Sequence, residues 1–595
     1  MTAMRHSLDP RQSRLFDPFE GLIPPLGLKE IRNGWQGVFR TVLLHLMPAK
    51  QLGKHFHPTI GRPTKELYSV AGLLFLQEAN NWTNDQTVEA YLFRTDVQYA
   101  LNLEPGTDEM CLRTFERYRS HFIDDELAST IMDQVTAELV QQLELDIDHQ
   151  RLDSTHVFSN MASFGRTRLM GVAIKRFLTQ AQRHHLDDYN ALPEPLRKRY
   201  AVSPAKLFAN DGKSAEDRAR TKQQVAEELH SLIVRFADHE GLSKRPSYKA
   251  LVTIFTQQCE LVESKVQVRA KTGGACVQNP SDLDATYDGH KGQGYKAQIV
   301  ETCSEANDVQ LIVSVLPQTA ADSDADAVKP IVSDLKEKEM LPKVLIGDTA
   351  FCSDENVQAA AKEDVELVGP VAGRSPEAEA VSAGQDQGME PLTIDDFAVD
   401  ERTHKVHSCP AGRIPLQTTY DGKTGTTTIE MPMGTCDSCP FRQACPIETK
   451  PGGGATLNYT DKQRRLAERR REEDTEAFRE RYAIRSGIES TNSGLKRRLG
   501  LGQLRVRGKK AVFHAIYLKA AGWNLFRAVA SGKLAAKVAA AMARLGPGRR
   551  FWLLLSLKWA RIRAQGSADG PKWRKWFKNW PKCRKSPFFT PGFCR

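Results

Sequence analysis

The chain has 595 residues, 40% hydrophobic and 26% charged, which suits about three or four globular units and excludes a single small domain. No run reaches about 18 apolar residues, so no membrane span is expected, and the opening stretch MTAMRHSLDPRQSRLFDPFE has no apolar block of a secretory leader. Together these lead us to expect a cytoplasmic protein. The net charge of +10 is unevenly spread: residues 531–595 hold 16 Lys or Arg against one acidic residue, Asp569. A basic tail on a near-neutral body points to a polyanionic partner, usually nucleic acid.

In chain order, residues 20–140 read as helical, within an N-terminal unit taken over 1–140. KELYSVAGLLFLQEAN (65–80) has apolar residues at helical spacing, Asn81-Trp82-Thr83-Asn84 breaks it and offers caps for the next helix, and that helix carries Val88, Tyr91 and Leu92. MCLRTFERYRSHF (110–122) adds a third helix bearing Arg113, Arg117 and Arg119. Such a trio is compatible with a DNA-binding module, and equally with a structural or dimerising bundle.

LELDIDHQRLDSTHVF (143–158) reads as a strand entering a polar turn, and residues 160–275 as a helical insert. Strand signals follow at 295–303, 309–317, 343–351 and 365–371, with helical sequence at 324–338 and 355–363. The order β-β-α-β-α-β after a first strand predicts a mixed α/β fold with a central sheet over 141–371. Residues 372–460, rich in Gly, Pro, Thr and Ser, read as an insertion. Helical sequence resumes over 461–530, and 531–595 forms the basic tail.

Phosphodiester chemistry calls for carboxylates that hold divalent cations, and two ions about 4 Å apart can serve the attacking and leaving oxygens. Asp153 in RLDSTHV and Asp348 in LIGDTAF are placed at strand ends, where ligand sites of open α/β sheets gather. Asp146 and Asp148 compete with Asp153, and a turn or cap role suits either Asp alone. In RYAIRSGIESTNSGLKRRLG, a continuous helix at about 100° per residue puts Tyr482, Arg485, Glu489 and Lys496 in a stripe about 60° wide. Ile484, Ile488 and Leu495 fall on a separate apolar stripe. A solvated charged face is the bland alternative. Gly487 and Gly494 cost such a helix about 1 kcal/mol each relative to Ala.

The spacing Tyr-x2-Arg-x3-Glu-x6-Lys resembles the YREK signature of bacterial insertion-sequence DDE transposases, and RLDSTHV and GDTAF resemble their two Asp motifs. GRPTKELYSVAGLLFLQ through LRTFERYRSHF is similar to their helical N-terminal domain, so the likeness runs over roughly 30–530. It implies an RNase H-like core in which Asp153, Asp348 and Glu489 bind two Mg²⁺ or Mn²⁺ ions. It further implies that Tyr482, Arg485 and Lys496 contact DNA, and that metal-assisted hydrolysis frees a 3′-OH that attacks target DNA. The implied partners are the element's terminal inverted repeats, target DNA and a second copy of the chain, in a nucleoid-associated setting. A repurposed DNA-binding relative and a nuclease without strand transfer are the alternatives.

Cys409, Cys436, Cys439 and Cys445 follow C-x26-C-x2-C-x5-C inside the insertion. Thiolates at C-x2-C spacing reach one tetrahedral metal, so structural Zn²⁺ is expected, standing in for the core of a segment poor in large apolar residues. An iron–sulfur cluster or free thiols are the other readings. In the tail, Trp573, Trp576 and Trp580 alternate with Lys572, Arg574, Lys575, Lys578 and Lys582, a pattern suited to non-specific DNA contact. His184, His185, His404 and His407 show no ligand spacing, while His156, close to Asp153, suits either tuning of that carboxyl or a hydrogen-bonded structural role.

Overall fold

The structure is a computed structural model and describes residues 6–12, 17–106, 108–209, 214–373, 392–400, 402–449, 454–534 and 536–537. The Trp-rich tail segment lies outside them.

The centre is a mixed sheet. β1 (His149–Val157) pairs antiparallel with β2 (Gly292–Thr302), which pairs antiparallel with β3 (Ile312–Thr319). On its other side β1 runs parallel to β4 (Val344–Ile346), and β4 parallel to β5 (Glu366–Val368). The order 3-2-1-4-5, with the last two strands parallel to the first, is an RNase H-like core, and a short strand Thr286–Asp288 extends the start of β2. All five predicted strands are present, as are α8 (Val328–Glu337) and α9 (Asp354–Ala361) between β3, β4 and β5.

Side-chain alternation along β1 divides its neighbours between two faces. Leu152 joins Val300, Val313 and Leu345 in the core covered by α8 and α9. Ile346 and Val368 join Phe478 and Ile484 in a smaller cluster under the Glu-bearing helices. Asp153 sits in the middle of β1, opposite Ile299, and not at its end as expected. The strand extends four residues beyond it because it has antiparallel partners as far as Val157↔Tyr295.

The N-terminal helices are α1 (Leu67–Ala79), α2 (Asn84–Phe93), α3 (Leu112–Asp124) and α4 (Leu127–Leu143). Thr83 opens α2 with a capping box completed by Gln86. α1 and α4 both pack on α13 (Lys509–Ala530). Buried Lys519 of α13 ties the join: its Nζ lies 3.2 Å from the Glu78 carboxylate, 2.7 Å from the Leu499 carbonyl and 3.2 Å from Asn81 Oδ1. A buried ammonium needs such a full set of acceptors.

The insert after β1 folds into a helical lobe. α5 (Arg166–His184), α6 (Ala215–Phe236) and α7 (Pro246–Gln258) enclose their own core around Phe177, Leu229 and Leu251. The segment before the Glu-bearing helices forms an antiparallel sheet in the order Gln417–Asp421, Thr426–Met431, Ala455–Thr460, Glu448–Thr449. Its small core unites Ile429, Met431, Leu457 and Tyr459 with Ile394, Phe397 and Cys409. This overturns the expectation that a metal stands in for a core there. The apolar residues are few, but strand alternation gathers them on one face.

α10 (Asp461–Glu473), α11 (Glu476–Ala483) and α12 (Gly487–Arg498) follow. The predicted single helix from Tyr482 to Lys496 is interrupted by a 3₁₀ turn, Ile484–Ser486. There the Ile484 carbonyl accepts from Arg151 Nη1 at 2.9 Å, so the break coincides with a bond to the sheet. No helix among the described residues is long and apolar enough to cross a membrane.

Candidate functional site

α12 is seated on β1 by a buried network. Arg151 donates through Nε and Nη2 to Glu301 Oε2 of β2 at 3.0 and 2.8 Å, and Thr491 of α12 donates to the other Glu301 oxygen at 2.6 Å. A Cβ on Gly487 would fall 2.0 Å from Arg151 Nη1, and one on Gly494 would fall 2.1 Å from the Trp523 ring. The two glycines weaken the helix but let it lie close on both sides.

Two residues on from Arg151, Asp153 emerges on the same face of the strand. Its Oδ1 accepts from Arg485 Nη2 at 3.0 Å and its Oδ2 from Asn492 Nδ2 at 2.9 Å. The same Arg485 nitrogen lies 3.5 Å from Asp348 Oδ2. Asp348 follows β4 by two residues and fixes its turn by accepting the Ala350 N–H at 2.8 Å. Glu489, exposed on α12, shares an open cleft of about 380 Å³ with Asp153, Asn492 and Lys496. The structure thus gathers Asp153 and Asp348 around one guanidinium, and Asp153 and Glu489 along one cleft.

Burial raises the Asp153 carboxyl above its ordinary value against the pull of Arg485, and the nearby Asp348 charge raises it further. Lys496, on the rim, is lowered by partial desolvation and then by Lys291. Tyr482 stacks on Phe478 at 5.8 Å between centroids, and burial raises its phenol.

Asp146 and Asp148 are engaged in the loop before β1. Asp146 accepts from Ser304 and from the Asp148 N–H, while Asp148 pairs with Lys343. His156 meets the Gln293 carbonyl through Nε2 at 3.1 Å. Asn492 is a site residue the sequence reasoning missed. It lies three residues beyond Glu489, a helical spacing that faces the same way, and that was its only signal. Its Oδ1 is buried without a protein partner, as is Arg485 Nε.

Oxygen donors converging on a cation already shared by two of them suit a hard divalent ion. In the insertion, Cys409 is buried beside Cys436 and Cys445. The Cys436 thiol is raised by burial and by the other three sulfurs, and Cys445 by burial and by Cys439 and Cys409. Thiolates that repel one another suit a shared soft cation.

Among the described residues, one trio of ligand atoms closes within 4.8 Å, that of His185, Asp188 and His239. Neither the three carboxylates nor any three of the four thiols close so far. The sequence reasoning had passed over His185, but hydrogen bonding argues against a metal there. His239 Nδ1 accepts the Gly241 and Leu242 N–H groups at 3.2 and 3.1 Å. Its proton therefore sits on Nε2, which donates to Asp188 at 3.0 Å and has no lone pair to offer.

Residues 408–529 match a family model described as a transposase DDE domain. The matched stretch contains all four clustered cysteines together with Tyr482, Arg485, Glu489 and Lys496, while Asp153 and Asp348 lie outside it. A solved piggyBac transposase synaptic complex with hairpin DNA aligns at 10% identity and a TM-score of 0.20, over 72% of this chain and 78% of that one. No curated protein matches the chain.

Proposed function

We propose that this chain is a DDE-type DNA transposase of an insertion sequence, with Asp153, Asp348 and Glu489 as its catalytic carboxylates. The observation that carries the reading is Arg485 Nη2 lying within 3.5 Å of both aspartates, beside a cleft that Asp153 shares with Glu489. The transposase-domain match over 408–529 supports it independently.

The three carboxylates would hold two Mg²⁺ or Mn²⁺ ions, whose chemistry would be to activate a water or a 3′-OH and to offset charge on the phosphodiester. Asn492 fixes the orientation of Asp153 through Oδ2. Arg485 and Lys496 offset backbone phosphate charge, and Tyr482 packs against the strand end. Cys409, Cys436, Cys439 and Cys445 would hold one structural zinc, with four thiolates leaving it no catalytic position. DNA ends and target DNA are the partners, and two copies of the chain pair the two ends.

The test uses DNA ends taken from the inverted repeats flanking the gene, a target plasmid and Mg²⁺. Wild-type protein is expected to cut and join. Asp153→Asn, Asp348→Asn and Glu489→Gln should each abolish cleavage while end binding persists. Cutting without joining would replace the proposal with a nuclease, and binding without cutting with a repurposed relative.

A further inference from the structure

A cavity of about 710 Å³ opens between the helical lobe and the segment that leaves β1. Four cations line it, Lys175 and Arg176 from α5, Arg245 before α7, and Arg507, and no carboxylate does. None of the four is in an ion pair among the described residues. Lys175 donates to the Tyr200 and Ala201 carbonyls, and Arg176 to the Ser281 hydroxyl.

Two further observations point to an anion. Arg245 Nε and Ser247 Oγ are buried without partners, and Ser247 as a whole is only 9% exposed. Both flank the start of α7, a 13-residue helix that opens at Pro246 with no side-chain cap. The positive end of the helix therefore faces the cavity.

The cavity is also joined to Asp153 by a short stretch of chain. Beyond β1 the chain bonds to the segment after α12, with Phe158 N–H to the Gly502 carbonyl and Asn160 N–H to the Val506 carbonyl. Asn160 lines the cavity and comes seven residues after Asp153. At about 3.3 Å per residue the separation is at most roughly 23 Å, a length of about seven base pairs of duplex.

We propose that this cavity clamps the phosphodiester backbone of the DNA whose end enters the carboxylate cleft, within about seven nucleotides of the reacting phosphate. The proposal rests on the DNA-transposase reading. It gives the helical lobe the task of gripping the DNA some distance from the chemistry.

The experiment measures affinity against salt for full-length protein and a mixed-sequence duplex several helical turns long. Arg176 and Arg507 are both exposed, so Arg176→Gln/Arg507→Gln should fold, with thermal melting as the check. The double variant is expected to lower the slope of log K against log salt by about two. Ser247→Asp, which places a carboxylate in the cavity, should weaken binding at low salt. Unchanged slope and affinity in both variants, with wild type binding normally, would overturn the clamp while leaving the transposase reading intact. Failure of wild type to bind DNA would remove both. If inorganic phosphate raised the melting temperature of wild type but not of the double variant, and the DNA slope were unchanged, the cavity would belong to a small anion and the clamp would be overturned.

Discussion

Arg485 Nη2 sits 3.0 Å from Asp153 Oδ1, and the same nitrogen reaches Asp348. The guanidinium offsets the repulsion between the two carboxylates, and on the proposed reading it would compete with a divalent ion for them. Arg485→Gln should therefore increase the rise in melting temperature that Mg²⁺ or Mn²⁺ produces, because the ion no longer competes with a resident positive charge. An equal rise in wild type and variant would show that Arg485 and the ion do not compete.

The close seating of α12 on β1 sets a steric limit at its glycines. Gly487→Ala would displace Arg151 from Glu301 and from the Ile484 carbonyl, leaving a buried carboxylate without its partner. A loss of about 3 kcal/mol is expected in chemical denaturation, despite the better helix propensity of alanine. Gly494→Ala presses on Trp523 and should cost about 1–3 kcal/mol. A neutral or stabilising effect at Gly487 would mean that α12 can lift away without penalty.

His514 on α13 is fully buried, packs edge-on against Phe122 and is pushed down to about 4, chiefly by burial. Nearby Glu78 opposes the shift, while Arg119 and Lys519 add to it. The unfolded chain takes up this proton near pH 6.5 while the native protein resists until about pH 4. Stability is thus full above pH 6.5 and falls as the pH drops through that window, by about 3 kcal/mol. Denaturation of His514→Leu across the same range should show a shallower fall, and an identical pH profile would remove His514 as the cause.

Elemental analysis of the purified protein should find one zinc per chain, lost in Cys436→Ser/Cys439→Ser. The double variant should loosen the sheet over 417–460, seen as faster hydrogen exchange, while the main sheet stays protected. A metal-free wild type with that sheet equally protected would refute a structural zinc.

Local pattern settled a good deal before any tertiary contact was known. The β-β-α-β-α-β order, the Thr83 cap and the helical spacing of Glu489 and Lys496 follow from neighbours in sequence, because periodicity and capping act over a few residues. Other features depended on partners hundreds of residues away. Asp153 lies mid-strand because β2 pairs along the whole of β1, and the helix after Tyr482 breaks where Arg151 takes the Ile484 carbonyl. The insertion has a core because Thr426–Met431 and Ala455–Thr460 pool their few apolar side chains with Ile394, Phe397 and Val406. The sequence by itself determined which elements form and which residues carry charge. Only the folded chain decided that Asp153 and Asp348 meet at Arg485, and that His239 gives its proton to Asp188. Such meetings depend on side-chain direction and on competition for each hydrogen bond, and neither is encoded in spacing along the chain.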